Sequence, residues 1–152
     1  QAQMQAFERA LEMGLIPWLE GARVRKRDAR LGNSLIDYLL VSNDWQIYLE
    51  VKSAVLRDGH YALYPDCPSL RGSRHIKELT RLVRSGGKAI VLFIAALPEV
   101  TAFKPNRPTH PALHEALLEG NKAGVKIKAI GMYYNPEDSL VYLYNPDLAV
   151  EL

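Results

Sequence analysis

A single cysteine, Cys67, stands in the whole chain. Its isolation excludes an internal disulfide and any cysteine-rich zinc site, and makes a reducing cytoplasm the expected compartment. No apolar run approaches the roughly 18 residues that cross a bilayer. The longest, Ala89 to Leu97, reads as a buried strand, so no membrane partner is expected. Gln1 to Leu11 lacks a positive stretch followed by an apolar one, and no signal peptide is read there. Repeats, linkers and low-complexity segments are missing as well. Charge of one sign is not in excess either: the net charge is +2, too small by itself to imply a nucleic-acid partner.

What is present suits one globular domain. The chain has 152 residues, of which 48% are hydrophobic and 24% charged, enough for a single sizeable core. The positive charge is gathered in two zones. Arg23, Arg25, Lys26, Arg27 and Arg30 stand against a lone Asp28. Arg71, Arg74, Lys77, Arg81, Arg84 and Lys88 stand against a lone Glu78. Local basic zones on a nearly neutral chain suggest a polyanion footprint, with plain solvated surface as the alternative.

The pattern predicts a helix over Met4–Met13, ended by Gly14 and Pro17. Val24–Arg30 is a candidate exposed strand with poor alternation. Ser34–Val41 and Trp45–Val51 read as a hairpin joined by Ser42-Asn43-Asp44. Tyr61–Tyr64 is a candidate third strand, and Pro65 and Pro68 bracket a loop. Leu70–Val83 is a helix stopped at Gly86-Gly87, and Lys88–Ala96 a central strand covered on both faces. Pro98–Pro111, with four prolines, reads as loop, and Pro111–Lys122 as a helix. Val125–Tyr134 and Leu140–Tyr144 close the chain as strands. This order indicates an α/β or α+β domain with a mixed sheet.

The chemistry centres on Glu50-Val51-Lys52. Alternate residues of a strand share a face, so Glu50 and Lys52 point together and Val51 away. Asp37, on the preceding strand, comes beside Glu50 by antiparallel pairing. Two carboxylates and an ammonium in one patch suit a hard divalent cation, which takes oxygen ligands and acidifies the water it binds. Asp37 and Glu50 would hold the ion and Lys52 would serve the nucleophile or the transition state. The triplet alone is weak, since 17 acids and 19 bases in 152 residues give about two such triplets by chance. The alternative is an exposed cross-strand ion pair. Pro65-Asp66 is a literal Pro-Asp that follows the triplet, so the leading role falls to Ile36-Asp37. Asp66 is an accessory candidate from its loop.

On the Leu70–Val83 helix, Ile76, Leu79 and Val83 form the core side. Arg74, Lys77, Arg81, Arg84 and Lys88 lie opposite, as a candidate phosphate-tracking face. Arg71, His75, Glu78 and Leu82 form a stripe between them. Arg71 and His75 could approach a DNA phosphate there, or His75 and Glu78 could simply pair on the surface. Glu8 on the first helix could add a third carboxylate, with Glu12 and Glu20 as competitors.

Taken in order, Asn33-Ser34-Leu35-Ile36-Asp37-Tyr38-Leu39-Leu40, Tyr48-Leu49-Glu50-Val51-Lys52-Ser53, Tyr64-Pro65-Asp66 and Arg71-Gly72-Ser73-Arg74-His75-Ile76-Lys77-Glu78-Leu79 resemble successive motifs of the sugar fermentation stimulation protein A (SfsA) family. The likeness runs from about Phe7 to about Val150. It implies a PD-(D/E)xK nuclease fold, a core of helix, three strands, helix and strand with an added helix and C-terminal strands. It also implies DNA binding and a Mg2+ or Mn2+ dependent endonuclease site, with no small-molecule cofactor. A DNA-binding regulator of the same family without turnover is the alternative, and a homodimer is the assembly considered. Asp37, Glu50 and Lys52 then fall on the nuclease motif, Glu8 on the first-helix acid that would join Asp37 and Glu50 at the metal, and Arg71 and His75 on the later-helix motif. Glu78 is a further accessory candidate. Ser73 departs from the longer polar residue expected at its position. Family members usually carry an N-terminal OB-fold domain, so residues 1–152 are expected to be the nuclease-like domain that follows it.

Overall fold

The computed structural model describes residues 2–152. Its chain order is helix α1 (Ala2–Glu12), a 3-10 turn at Pro17–Leu19, strands β1 (Arg23–Leu31), β2 (Ser34–Val41), β3 (Gln46–Ala54), β4 (Leu56–Asp58) and β5 (Tyr61–Tyr64), helix α2 (Leu70–Arg84), strands β6 (Ala89–Ala95) and β7 (Ala102–Pro105), helix α3 (Pro111–Ala123), and strands β8 (Lys126–Asn135), β9 (Leu140–Asn145) and β10 (Ala149–Val150). Six strands form one mixed sheet in the order β1-β2-β3-β6-β8-β9, and four short ones a second sheet, β10-β7-β5-β4.

The apolar run Ala89–Ala95 becomes the buried centre of the large sheet, parallel to β3 on one side and β8 on the other. Its alternate residues feed two cores. Val91, Phe93 and Ala95 pack with Ile76 and Leu79 of α2 and with Leu113 and Leu117 of α3. Ile90, Leu92 and Ile94 pack with Phe7, Ala10 and Leu11 of α1. The sheet is thus a layer between helices, which is why β6 carries no polar residue. Ile94→Val removes one methylene from a fully buried site and is expected to cost about 0.5–1.5 kcal/mol, measurable by denaturant unfolding.

Local signals set the helix ends. The Ser69 side chain accepts from the Gly72 N–H at 3.1 Å and opens α2. His110 does the same for α3 through the Leu113 N–H at 3.0 Å, with Pro111 in the first turn.

Three expectations change. Tyr61–Tyr64 is a strand, but it belongs to the small sheet, where it pairs with β4 and β7. The three strands preceding α2 in the large sheet are β1, β2 and β3. Pro98–Pro111 is not all loop, because Ala102–Pro105 pairs parallel to β5 through its buried Ala102 and Phe103. Finally, β3 runs on to Ala54, held along its length by β6.

Candidate functional site

The site forms where β2 and β3 part company. Their pairing runs from Val41↔Gln46 to Tyr38↔Leu49 and stops there. Beyond that point side chains replace the ladder. The Asp37 N–H donates to Glu50 Oε1 at 3.1 Å, and the Val51 N–H donates to Asp37 Oδ2 at 2.8 Å. Each carboxylate caps the other strand's backbone, so both are held at the splayed strand ends.

Alternation also breaks here. Ile36 packs in the α2–α3 core, whereas Tyr38 packs in the α1 core. Across the ladder, between the pairs Arg27↔Tyr38 and Ala29↔Ile36, lies Asp28 with φ of 49°. Aspartate is among the few residues that tolerate this left-handed conformation. The strand pair therefore changes face at Asp28 and Asp37, and such local irregularity is concentrated at functional sites.

Glu50 is 3% exposed and the most connected group present. Its Oε2 meets Lys52 Nζ at 3.0 Å and His75 Nδ1 at 2.5 Å. Burial pushes its pKa up, but Lys52 and His75 together outweigh that and hold it below the ordinary glutamate range. Asp37 moves the other way. Burial first, then the adjacent Glu50 charge, push it from 3.8 to about 7, against the Val51 N–H and Lys52. The Glu50 charge lies beside Asp37, so the two acids face each other and Asp37 retains the proton.

A stability profile follows. The unfolded chain loses the Asp37 proton near 3.8, whereas the folded chain keeps it until about 7. Stability from this group is full below the first value and is lost as pH rises through the second. Glu50 contributes with the opposite sign, but its window lies below 4.5. Between pH 5 and 8 the metal-free protein is therefore expected to lose on the order of 1–3 kcal/mol, allowing for partial solvent access at Asp37. Denaturant midpoints across that range measure it.

Other candidates are placed differently. Glu8 is not gathered with Asp37 and Glu50: its carboxylate takes the Arg27 guanidinium at 2.5 and 3.0 Å and the Tyr38 hydroxyl at 2.7 Å. The Arg27 bond, acting against burial and assisted by Tyr38, lowers its pKa. Among the described residues no three His, Cys, Asp or Glu side chains cluster closely enough to hold an ion. Glu8 and Asp37 do line one cleft of about 410 Å3, together with Met4, Gln5, Arg27, Asp28 and Tyr38. Of Asp37, Glu50 and Lys52, only Asp37 reaches it.

His75 is not a surface contact. It is 4% exposed because it serves Glu50 from α2. Its predicted surface partner Glu78 turns instead to Arg81 at 2.6 Å, and packs under the β1–β2 turn. There Gly32 holds a left-handed φ of 59°, and a Cβ on it would displace that carboxylate. Arg71, Arg74, Lys77 and Arg81 are exposed, but none lines the Asp37 cleft. Asp66 is exposed in the loop after β5. Sequence patterning put Glu50 and Lys52 together but missed the His75–Glu50 bond and the left-handed Asp28. The only sequence trace of that bond was the half-buried stripe on α2.

Comparison with known proteins agrees with the whole architecture. The family described as sugar fermentation stimulation protein RE domain matches residues 1–138. A sugar fermentation stimulation protein homolog from Pyrococcus furiosus is 48% identical over 150 residues, 99% of this chain and 64% of that protein. A homolog from Archaeoglobus fulgidus is 43% identical, over 99% of this chain and 63% of its own length. A solved structure, described as Pyrococcus furiosus SfsA in complex with Ca2+, superposes with a TM-score of 0.95 at 46% identity, covering 99% of this chain and 64% of that one. The chain thus spans a little under two thirds of the length of these relatives.

Proposed function

Because this chain belongs to the sugar fermentation stimulation protein family, we propose that it is a metal-dependent DNA endonuclease domain of the PD-(D/E)xK type. The observation that carries the reading is the splayed end of β2 and β3, where Asp37 and Glu50 face each other with Lys52 and His75 behind them. Two facing carboxylates, only one of them ionised without a cation, are the oxygen donor set a hard cation prefers. The Ca2+ complex of the Pyrococcus furiosus relative supports the same preference. Asp37 and Glu50 would hold Mg2+ or Mn2+, which supplies charge to offset the scissile phosphate and acidifies the attacking water.

The chain's own groups do the rest. Lys52, 3.0 Å from Glu50, would offer an ammonium to negative charge developing on phosphate. His75 fixes the Glu50 rotamer and is a positioning residue. The Asp37 proton must leave before the carboxylate can take a ligand, so cation affinity rises with pH up to about 7.

The test is incubation of plasmid and single-stranded DNA with Mg2+ or Mn2+, for the wild type and Asp37→Asn. Cutting that needs the cation and is lost in the variant supports the nuclease. Binding without cutting, across cations and substrates, supports a DNA-binding regulator instead.

A further inference from the structure

The α2 cations, the first candidates for a phosphate track, are poorly placed for it. Arg81 is tied to Glu78 and Arg84 to Glu119, and none of the α2 cations lines the cleft at Asp37. The other basic zone is better placed. Strand β1 is the outer edge of the large sheet, and Arg23, Arg25, Lys26, Arg27 and Arg30 are all exposed on it. Among the described residues only Arg27 of these five makes an ion pair. Charged side chains protect a sheet edge from pairing. Five within eight residues repel one another and call for a polyanion.

The surface leads to the chemistry. A cleft of about 600 Å3 runs between α1 and β1, lined by Glu8, Glu12, Arg23, Arg25, Lys26 and Arg27 among others. It adjoins the 410 Å3 cleft at Asp37, and Glu8 and Arg27 line both. Arg27 is the gatepost: its side chain is 65% exposed, while its partner Glu8 is 16% exposed. Arg23 to Arg30 spans about 23 Å at strand rise, or two thirds of a B-form turn.

We propose that the outer edge of β1 is the strip on which the DNA backbone docks, and that Arg27 there exchanges the Glu8 carboxylate for a phosphate. A phosphodiester offers the guanidinium fork the same two-oxygen acceptor as Glu8. Once released, Glu8 keeps only the Tyr38 hydroxyl and faces the cleft it shares with Asp37. DNA and cation then bind cooperatively, each favouring the other by the same factor. This rests on the nucleic-acid reading of the site but assigns a surface which that reading leaves open.

The test is the salt dependence of affinity for a short labelled DNA duplex in Ca2+, with melting curves confirming that each surface variant folds. Arg23→Gln/Lys26→Gln/Arg30→Gln is expected to reduce the slope by about 2–3. Lys77→Gln/Arg81→Gln leaves it near the wild-type value. Arg27→Gln binds Ca2+ alone roughly 2–5-fold tighter, as the competing ion pair is lost, while the tightening of DNA by Ca2+ shrinks. An unchanged slope in the β1 variant, or a fall only in the α2 variant, overturns the proposal and leaves the nuclease reading standing. So does a β1 edge that pairs with a second copy, seen as a dimer in sedimentation and no slope change. Wild type that binds no DNA in any condition overturns both. Slope loss without cleavage supports the β1 strip and removes only the nuclease.

Discussion

Asp37→Asn is expected to lower cation-dependent cleavage on the order of 10³-fold and, in the same variant, to raise the melting temperature of the metal-free protein at pH 8. The two effects have one cause. Asp37 is buried beside Glu50, and its pKa of about 7 records how poorly the apo fold tolerates a second negative charge there. Asparagine keeps an oxygen for the Val51 N–H, which Asp37 accepts at 2.8 Å, and removes the charge. The gain is on the order of 1–3 kcal/mol at pH 8, or several degrees for a domain of this size. At pH 4, where Asp37 is protonated in the folded chain, the gain disappears. An aspartate with an ordinary pKa in the fold would show neither the stabilisation nor its pH dependence. Cleavage by gel assay and melting by circular dichroism at both pH values check the pair.

Glu50→Ala should act in the opposite sense on stability. Its side chain is 3% exposed, and it binds Lys52 at 3.0 Å, His75 at 2.5 Å and the Asp37 N–H at 3.1 Å. Truncation leaves a half-buried ammonium, a buried imidazole and a backbone donor unpaired, which is far costlier than never having made the pair. A loss of about 3–5 kcal/mol, or roughly 6–20 °C in Tm, is expected. Glu50→Gln keeps the shape and an acceptor oxygen, so it should lose less stability while still losing cleavage. The gap between the two variants separates the packing of this group from its charge.

The contrast between these two acids shows what a sequence can and cannot carry here. Glu50 and Lys52 were legible because alternation on a strand is local, and β3 obeys it. The β6 core was legible as an unbroken apolar run, buried at every position, and the buried side of α2 through its helical periodicity. β1 was faint because an edge strand is mostly exposed and, through Asp28, switches faces midway. The small sheet was largely hidden, since β4 and β10 are three and two residues long and carry no pattern. The His75–Glu50 bond joins residues 25 apart, and its Nδ1 contact depends on how α2 docks on the sheet. Glu8 was correctly set on the first helix, but its partner depends on Arg27, 19 residues away, whose exposed strand gave no hint of contact.

Calorimetric titration of the metal-free protein with Mn2+ decides whether Asp37 and Glu50 form a cation site. At pH 6, with Asp37 largely protonated, binding should saturate a site that releases close to one proton, seen as a heat that varies with buffer ionisation enthalpy. At pH 8 the same site should bind more tightly with little proton release, and in Asp37→Asn it should be lost. Equal binding in the variant, or wild-type protein that takes up no Mn2+ at either pH, would remove Asp37 and Glu50 as the cation site.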